Sequence, residues 1–334
     1  MKRTGDLYLR IADSENLRLA FWKAQKGKKD RQEVQEYRQQ LEENLQTLRA
    51  SLLNRDVPVG DYRYFTVRDP KERRICAASF RERVLHHAMM NLCEPVFERY
   101  AIHDTYACRP GKGTHRAVTR AREFGKRFRF CLKMDIAGCF DSIDHEVLMR
   151  MLARLFKDRE LLNLFEHILA SYQTAPGKGL PIGNLTSQHF ANFYLGRLDH
   201  FVKETLRTKG YLRYMDDFLA FGNSPEELKV LLSRIRDYLD DELHLELKKG
   251  IQLKPSKAGV SFLGYRLFPD RIGLTRRSRQ RFIDKLRLYE GDYLRGALPE
   301  SELSRRMQSV IAFTEWADAS GFRCSALSKY GVLS

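Results

Sequence analysis

The spacing of apolar positions along the chain predicts mostly helices, with a few short strands between them. From residue 31 to residue 53 apolar side chains recur in steps of three and four, the period of one continuous helix with a single buried face. Residues 62–67, rich in aromatic side chains, and residues 73–78 flank a polar turn and predict a β-hairpin. Further helices are predicted near 80–99, 113–125, 144–155, 158–171 and 187–207, and after Ser224.

A second group of strands is predicted near the middle of the chain. Residues 128–134 form an apolar run that predicts a buried strand ending at Asp135. Residues 211–221 are apolar on both sides of a short polar break and predict another hairpin, with Asp216 and Asp217 at its tip. The helix after Ser224 should pack on the back of the resulting sheet.

Composition narrows the class of protein. The 334 residues include 59 Lys and Arg against 43 Asp and Glu, a net charge of +16 that suits a polyanionic partner. No stretch approaches the roughly 18 apolar residues needed to span a bilayer, and the N-terminus lacks the apolar core of a signal peptide. The six cysteines lack zinc-site spacing, which favours reduced thiols and a cytoplasmic location.

The carboxylates at the second hairpin indicate metal chemistry. Asp216 and Asp217 would place hard oxygen ligands in one small volume, which is costly unless a divalent cation is bound. Asp135, at the end of a neighbouring strand, is placed to bridge two such ions. A solvated turn is the alternative for Asp216 and Asp217. Asp144 precedes a helical pattern and is interpreted as its N-cap rather than a ligand.

Three motifs, in this order, resemble those of reverse transcriptases: residues 135–140, the Tyr-Met-Asp-Asp run at 214–217, and Phe-Leu-Gly-Tyr at 262–265. The resemblance covers roughly residues 60–270. It implies an α+β right-hand polymerase fold, in which an antiparallel palm sheet is backed by helices. The expected domains are an N-terminal helical extension (1–60), fingers and palm (61–270) and a basic helical thumb (271–334).

A fourth motif is similar to one type within that family. Residues 180–188 look like the version found in diversity-generating retroelement reverse transcriptases, since Ile182 and Gln188 stand where group II intron and retron enzymes usually carry Gln and Pro. Residues 106–117 fit the same group. This resemblance implies a template-repeat RNA, error-prone copying at adenines and a small accessory variability protein as partner.

The resemblance also implies a metal site. Asp135 and Asp216 are expected to hold two Mg²⁺ ions, which Mn²⁺ could replace, with Asp217 completing the charge cluster. The backbone carbonyl of Ile136 is a further candidate ligand.

Five residues are candidates for nucleotide binding. Lys71 and Arg73, on the fingers hairpin, would contact the triphosphate, because phosphate oxygens favour such cations. A solvated face is the alternative for both. Phe140 would close the space beside the sugar 2′ carbon and so exclude ribonucleotides, unless it is ordinary core. Ile182 and Gly183 are expected near the sugar of the incoming nucleotide.

Six residues are candidates for binding the template and primer: Ser187, Gln188, Gly264, Arg276, Arg277 and Arg281. Ser187 could instead be the N-cap of the helix near 187–207. Residues 271–287 hold seven basic residues against Asp284 alone, and their apolar spacing predicts a basic amphipathic helix. The same pattern could lie on a membrane surface, but a polymerase core upstream favours nucleic acid.

Three hypotheses for function are open at this stage. The first is the diversity-generating enzyme, with an RNA template, a DNA or RNA primer and deoxynucleoside triphosphates. The second is another prokaryotic reverse transcriptase, of retron, CRISPR-associated or phage-defence type. The third is a nucleic-acid-binding module without activity, which the intact Asp135, Asp216 and Asp217 disfavour. A mobile-intron enzyme is not expected, since no maturase or endonuclease segment follows the thumb.

Overall fold

The structure, a computed structural model, describes residues 2–68 and 72–331. Its helices are α1 Tyr8–Ile11, α2 Ser14–Ala24, α3 Gln32–Gln39, α4 Leu41–Leu53, α5 Phe80–Tyr100, α6 Thr114–Arg127, α7 Cys139–Ser142, α8 His145–Leu155, α9 Arg159–Ala170, α10 Leu185–His200, α11 Pro225–Leu243, α12 Arg276–Leu294, α13 Glu300–Glu315 and α14 Ser320–Tyr330. Its strands are β1 Tyr62–Val67, β2 Arg73–Ala78, β3 Phe130–Asp135, β4 Gly210–Tyr214, β5 Asp217–Gly222, β6 Gln252–Pro255, β7 Val260–Phe262, β8 Tyr265–Leu267 and β9 Ile272–Leu274. Both predicted hairpins are therefore confirmed.

The single helix predicted over 31–53 is wrong, because the chain forms two helices there, α3 and α4. The break falls at Gln40, whose φ of −115° and ψ of 39° lie outside the helical region. The side-chain amide of Asn44 donates to the carbonyl of Tyr37 at 3.1 Å, which satisfies a backbone group that the break releases. The apolar residues of both helices stay in step, so periodicity alone does not reveal the break.

Two predicted N-caps have different outcomes. Asp144 is the N-cap of α8, where its Oδ1 accepts a hydrogen bond from the Val147 amide at 3.0 Å, as predicted. Ser187 is not an N-cap, because α10 begins at Leu185 and Asn184 precedes it in an extended conformation. Ser187 therefore lies inside the first turn of α10. That helix ends at His200 and continues as a π-helical turn, Phe201–Thr205.

The chain forms two compact units, each built from separated segments. The first contains residues 1–103, 136–205 and 234–248, and the second contains 104–135, 206–233 and 249–334. In the first unit α2 packs against α5. The rings of Phe21, Tyr37 and Phe80 meet there with centroids 5.2–6.1 Å apart. The N-terminal helices thus share a core with α5, the helix that follows the β1–β2 hairpin.

The second unit contains an antiparallel sheet with strand order β4–β5–β3–β6 and a smaller sheet, β7–β8–β9. Helix α6 packs on this unit's core through Val118 and Phe124, which cluster with Leu219 and Phe221 of β5 and with Tyr265 of β8. Helices α12 and α14 form a separate small core with residues of α13. The expected α+β class, with an antiparallel sheet backed by helix, is confirmed.

Candidate active site

Three carboxylates lie at one end of the sheet of the second unit. Strands β3 and β5 pair so that Asp135 is directly opposite Asp217. The β4–β5 hairpin closes with Tyr214 opposite Asp217, so its two-residue turn is Met215 and Asp216. The predicted tip of Asp216 and Asp217 is therefore one residue too late, because Asp217 already pairs as the first residue of β5. Directly opposed residues in an antiparallel pair have neighbouring side chains, so Asp135 lies beside Asp217. Asp216 adjoins Asp217 in the chain, and both Asp135 and Asp216 interact electrostatically with the Asp217 carboxylate.

The carboxylate of Asp217 is held in a partly closed environment. Its side chain is 22% exposed, and Oδ2 accepts a hydrogen bond from Lys133 Nζ at 3.1 Å. Its other oxygen, Oδ1, is buried and has no hydrogen-bond partner among the described residues. The pKa of Asp217 is raised to about 6. Burial is the main cause, and the charges of Asp135 and Asp216 contribute in the same direction, whereas Lys133 lowers the pKa.

These features fit a divalent cation. Within the part of the chain that the structure describes, no three His, Cys, Asp or Glu side chains form a metal-binding group by themselves. Mg²⁺ does not need such a cage, since it keeps several waters and commonly takes one or two carboxylates together with substrate phosphates. A buried, unpartnered oxygen of Asp217 beside two further carboxylates is a place where a cation would relieve the electrostatic cost.

The turn that contains Asp216 has a strained backbone, and a buried arginine of β4 supports it. Met215 has a φ of +52°, which costs a residue other than glycine about 1–2 kcal/mol. The guanidinium of Arg213, a fully buried side chain in β4, donates to the Met215 carbonyl at 3.0 Å. The backbone of Arg213 bonds in turn to Asp104 and Tyr106, each at 3.0 Å. The segment before α6 therefore braces the strand that leads into the turn.

In the first unit, the β1–β2 hairpin is bonded to the loop that contains Ile182 and Gly183. The amide of Cys76 in β2 donates to the Ile182 carbonyl at 2.8 Å, and the amide of Ala78 donates to Asn184 Oδ1 at 3.0 Å. The side chain of Ile182 is half-buried, and Gly183 is exposed with a φ of +122°. These two bonds, one to a backbone carbonyl and one to a side chain, hold the loop beside β2.

Phe140 lies on the short helix α7 and is half-buried, so it is not a fully buried core residue. Its carbonyl accepts a hydrogen bond from the Leu180 amide at 2.7 Å, at the beginning of the Ile182 loop. Arg73 is exposed at the start of β2, opposite Val67. Lys71 lies outside the described residues.

The carbonyl of Ile136, the last candidate ligand, follows β3 directly in the chain. Ile136 is buried and pairs with Leu247 in an isolated antiparallel bridge. The hydrogen bond of that bridge runs from the Ala137 amide to the Glu246 carbonyl at 2.8 Å, and does not use the Ile136 carbonyl.

With this geometry established, comparison with known proteins identifies the family. Residues 68–267, more than half of the chain, match the family described as reverse transcriptase (RNA-dependent DNA polymerase). The chain belongs to the reverse transcriptase family. Membership of this family of RNA-directed DNA polymerases carries the right-hand polymerase fold, and the general resemblance inferred from the sequence is confirmed.

Curated relatives include two bacterial proteins. Protein YkfC of Escherichia coli is 25% identical over 278 residues, which covers 68% of this chain and 72% of that protein. The group II intron-encoded protein LtrA of Lactococcus lactis is 23% identical over 278 residues, covering 62% of this chain and 46% of LtrA. The match thus spans less than half the length of LtrA.

Solved structures of telomerases are similar at low identity. Apo telomerase from Candida tropicalis aligns with a TM-score of 0.49 at 11% identity, covering 81% of this chain and 59% of that chain. Telomerase from Candida albicans, in complex with a TWJ fragment of telomeric RNA, aligns with a TM-score of 0.46 at 13% identity, covering 81% and 58%. Among the described residues of this reverse transcriptase family member, no helix is long and apolar enough to cross a membrane.

The residues predicted to bind template and primer fall in both units of this reverse transcriptase. In the first unit, Ser187 is buried, and its Oγ has no hydrogen-bond partner within the described chain, whereas Gln188 is exposed. In the second unit, Gly264 forms the β7–β8 turn with Leu263, and their φ values are +87° and +49°. The Gly264 carbonyl accepts a hydrogen bond from Ser278 Oγ at 2.6 Å, which ties the turn to α12.

The three predicted arginines lie at the start of α12. Arg276, Arg277 and Arg281 are exposed, and the side chain of Thr275 caps the helix by accepting from the Ser278 amide at 3.1 Å. The first turn of α12 contains no acidic residue. Cations at a helix N-terminus oppose the helix dipole, so their placement does not serve the stability of the helix itself.

Sequence reasoning missed two residues of the site, Lys133 and Arg213. Each is a basic residue inside a strand that is otherwise apolar, in Cys131-Leu132-Lys133-Met134 and Tyr211-Leu212-Arg213-Tyr214. A charged side chain in a buried strand is expected to have a partner. That signal could have identified both residues, although it does not name their partners.

Proposed function

We propose that this chain is a reverse transcriptase of the diversity-generating type, which copies a template-repeat RNA into cDNA with frequent errors at adenines. The observation that carries the proposal is Ile182, an apolar side chain in a loop whose backbone is hydrogen-bonded to β2. Related enzymes usually place an amide side chain at this position. In this proposal residues 61–270 act as fingers and palm, residues 271–334 as thumb, and residues 1–60 as a helical extension.

The reaction is the addition of a deoxynucleotide to a primer 3′ hydroxyl with release of pyrophosphate. Asp135 and Asp216 would hold two Mg²⁺ or Mn²⁺ ions, with Asp217 and the Ile136 carbonyl as further oxygen donors. When bound, these ions would supply activation of the hydroxyl and neutralise charge on the triphosphate. The protein's own contribution is positioning: Arg213 holds the Met215–Asp216 turn, and the β3–β5 pairing fixes Asp135.

Selection of the nucleotide would depend on the first unit. The exposed guanidinium of Arg73 is suited to bidentate contact with phosphate oxygens, and Lys71 would assist it. The half-buried ring of Phe140 would close the space beside the 2′ carbon and exclude ribonucleotides. Gly183 is proposed beside the same sugar; the lack of a side chain there lets the loop lie close to β2, since an added Cβ would be 2.8 Å from Cγ2 of Ile75.

Low fidelity would follow from the chemistry of Ile182. An amide can hydrogen-bond near the sugar and reward correct placement, whereas Ile offers only shape and apolar contact. A lost hydrogen bond in a desolvated site is worth on the order of 1 kcal/mol, which blunts discrimination several-fold. Selection would then depend more on template-base geometry, and an adenine, limited to two pairing hydrogen bonds, should suffer first.

The template and primer would be bound mainly through their backbones. Arg276, Arg277 and Arg281 are exposed at the N-terminus of α12, where a phosphate would interact favourably with both the cations and the helix dipole. Ser187, Gln188 and Gly264 are proposed as further contacts. A small accessory variability protein as partner belongs to the same proposal and follows only from the subgroup resemblance.

The test is to copy one RNA with the wild type, with Ile182→Gln and with the apolar control Ile182→Val, and to sequence the products. We expect wild type and Ile182→Val to misincorporate mostly opposite adenine, and Ile182→Gln to make several-fold fewer such errors. An unchanged error spectrum in Ile182→Gln, at comparable extension rates, would remove Ile182 from the fidelity argument. Wild-type errors spread evenly over the four template bases would contradict the retroelement assignment.

A second candidate function is favoured by the similarity to the group II intron-encoded protein LtrA. An enzyme of that type would prefer a structured intron RNA as template and would copy adenines accurately. The same sequencing experiment distinguishes the two, and a search of the flanking DNA for a repeat pair with adenine-specific differences provides an independent test. A primer-extension assay that shows no product would favour an inactive nucleic-acid-binding module over both.

A further inference from the structure

The side chain of Lys133 joins the candidate carboxylate cluster to the smaller sheet of the second unit. Its Nζ donates to Asp217 Oδ2 at 3.1 Å and to the Ser261 carbonyl of β7 at 2.9 Å. It also lies 6.0 Å from the ring centroid of Phe262. The Lys133 side chain is only 21% exposed. Three separate contacts on a mostly covered ammonium distinguish it from an ordinary surface lysine.

These contacts restrain the carboxylate in two ways. The ion pair occupies Oδ2 of Asp217, so the group cannot rotate freely, and its buried Oδ1 is the oxygen without a protein partner. The bond to Ser261 fixes the ammonium from the opposite side, because Ser261 pairs with Arg266 in the β7–β8 hairpin. That hairpin also carries Leu263 and Gly264 in its turn, so the orientation of Asp217 and the position of the turn are linked.

We propose that Lys133 is a positioning residue that acts as an internal counter-ion: it orients Asp217, ties it to the β7–β8 hairpin, and competes electrostatically with divalent cations for the carboxylate cluster. This inference rests on the proposed function of Asp135, Asp216 and Asp217 as the metal-binding carboxylates. Lys133 does not contact the reacting atoms in this account. It lowers the affinity of the cluster for the cation and, in return, holds the Asp217 carboxylate in a fixed geometry.

Opposite effects on metal affinity and on turnover follow from this role. Removal of the positive charge should tighten divalent-cation binding on the order of tenfold, because a unit charge within a few ångströms of a partly buried site repels the cation strongly. Turnover at saturating Mg²⁺ should nevertheless fall about tenfold or more, because Asp217 is no longer held in place. A purely structural lysine would lower stability without changing metal affinity.

The experiment uses the full chain without nucleic acid and measures Mn²⁺ binding from the electron paramagnetic resonance signal of the free ion. Wild type is compared with Lys133→Met, with Lys133→Arg, and with Lys254→Met as a matched control. Lys254 is an exposed lysine on β6, the strand next to β3, so its loss changes the net charge equally. Thermal melting with and without Mn²⁺, and primer extension at saturating Mg²⁺, are measured on the same samples.

We expect Lys133→Met to bind Mn²⁺ about tenfold more tightly and to extend primers about tenfold more slowly. Mn²⁺ should also raise the melting temperature of Lys133→Met more than it raises that of wild type. Lys133→Arg should restore most of the rate, and Lys254→Met should stay within about twofold of wild type in both measurements. If Lys133→Met unfolds without metal, recovery of the folded state on adding Mn²⁺ supports the proposal, and failure to recover contradicts it.

Two results would overturn the inference: a Mn²⁺ affinity of Lys133→Met within about twofold of wild type, or equal tightening in Lys254→Met. Failure of the proposed metal site is distinguishable, since Asp216→Asn would then leave wild-type Mn²⁺ binding unchanged. The double variant Lys133→Met with Asp217→Asn gives a further check. If Lys133 acts through Asp217, its replacement should change Mn²⁺ affinity far less when Asp217 is already Asn.

Discussion

Replacement of Gly183 by alanine should uncouple the β1–β2 hairpin from the Ile182 loop. An added Cβ would lie 2.8 Å from Cγ2 of Ile75 and 3.2 Å from the carbonyl oxygen of Cys76, closer than ordinary contact. The backbone also has a φ of +122° there, a conformation that residues with a Cβ rarely adopt. Either the loop moves away from β2 or the neighbouring side chain and backbone shift.

The two costs can be estimated separately. A residue other than glycine in such a backbone conformation costs about 1–3 kcal/mol, and overpacking at a tight contact costs about 1–3 kcal/mol. Because Ile75 is only half-buried and can adjust in part, we expect a loss of about 3 kcal/mol. Thermal melting should show this as a midpoint lowered by roughly 6–12 °C. Nucleotide incorporation should fall more than the loss of folded protein explains, because Ile182 is displaced with the loop.

Two controls separate strain from contact. Gly177→Ala lies in the same unit at a φ of +69°, with no atom within 4 Å of the added Cβ, so it tests positive φ alone. Ile75→Ala removes the Cγ2 atom, and in that background Gly183→Ala should cost about 1 kcal/mol less than in wild type. If Gly183→Ala is no more destabilising than Gly177→Ala, and Ile75→Ala gives no relief, the close approach of loop and β2 is refuted.

Three further predictions concern the carboxylates and the sugar site. Asp216→Asn should abolish primer extension with little change in melting temperature, because it removes charge without changing shape; extension near the wild-type rate would exclude Asp216 as a metal ligand. Phe140→Ala should allow ribonucleotide incorporation and lower stability by about 1–2 kcal/mol, since the ring is half-buried. Single-nucleotide incorporation and thermal melting are measured together, and a loss of stability without ribonucleotide incorporation would contradict the prediction. The raised pKa of Asp217, about 6 against 3.8, means that the metal-free folded state holds this proton more tightly than the unfolded state. Stability without metal should therefore fall, by at most about 3 kcal/mol, as pH rises from about 4 to about 6, and Asp217→Asn should remove that dependence in denaturation curves.

Local patterns in the sequence predict the elements that carry the site. The apolar runs around residues 131 and 219 predict strands, and the short polar break near residue 216 predicts a hairpin, because apolar patterning and turn chemistry act over a few residues. The pairing of Tyr214 with Asp217 then decides that the turn is Met215 and Asp216. The N-cap at Asp144 is equally local. Where a local signal is weak, as at Gln40, the prediction fails: no Pro or Gly marks the break, and tertiary packing decides it.

Partners distant in sequence are decided only by the tertiary structure. The sequence alone determined that this chain has clustered carboxylates, a basic helical segment over residues 271–334 and the motifs of a reverse transcriptase. The register that sets Asp135 opposite Asp217, the ion pair between Lys133 and Asp217, and the bond from Cys76 to Ile182 join residues that no local pattern relates. These contacts depend on strand register and on packing, and both are set by the simultaneous burial of many side chains across the fold.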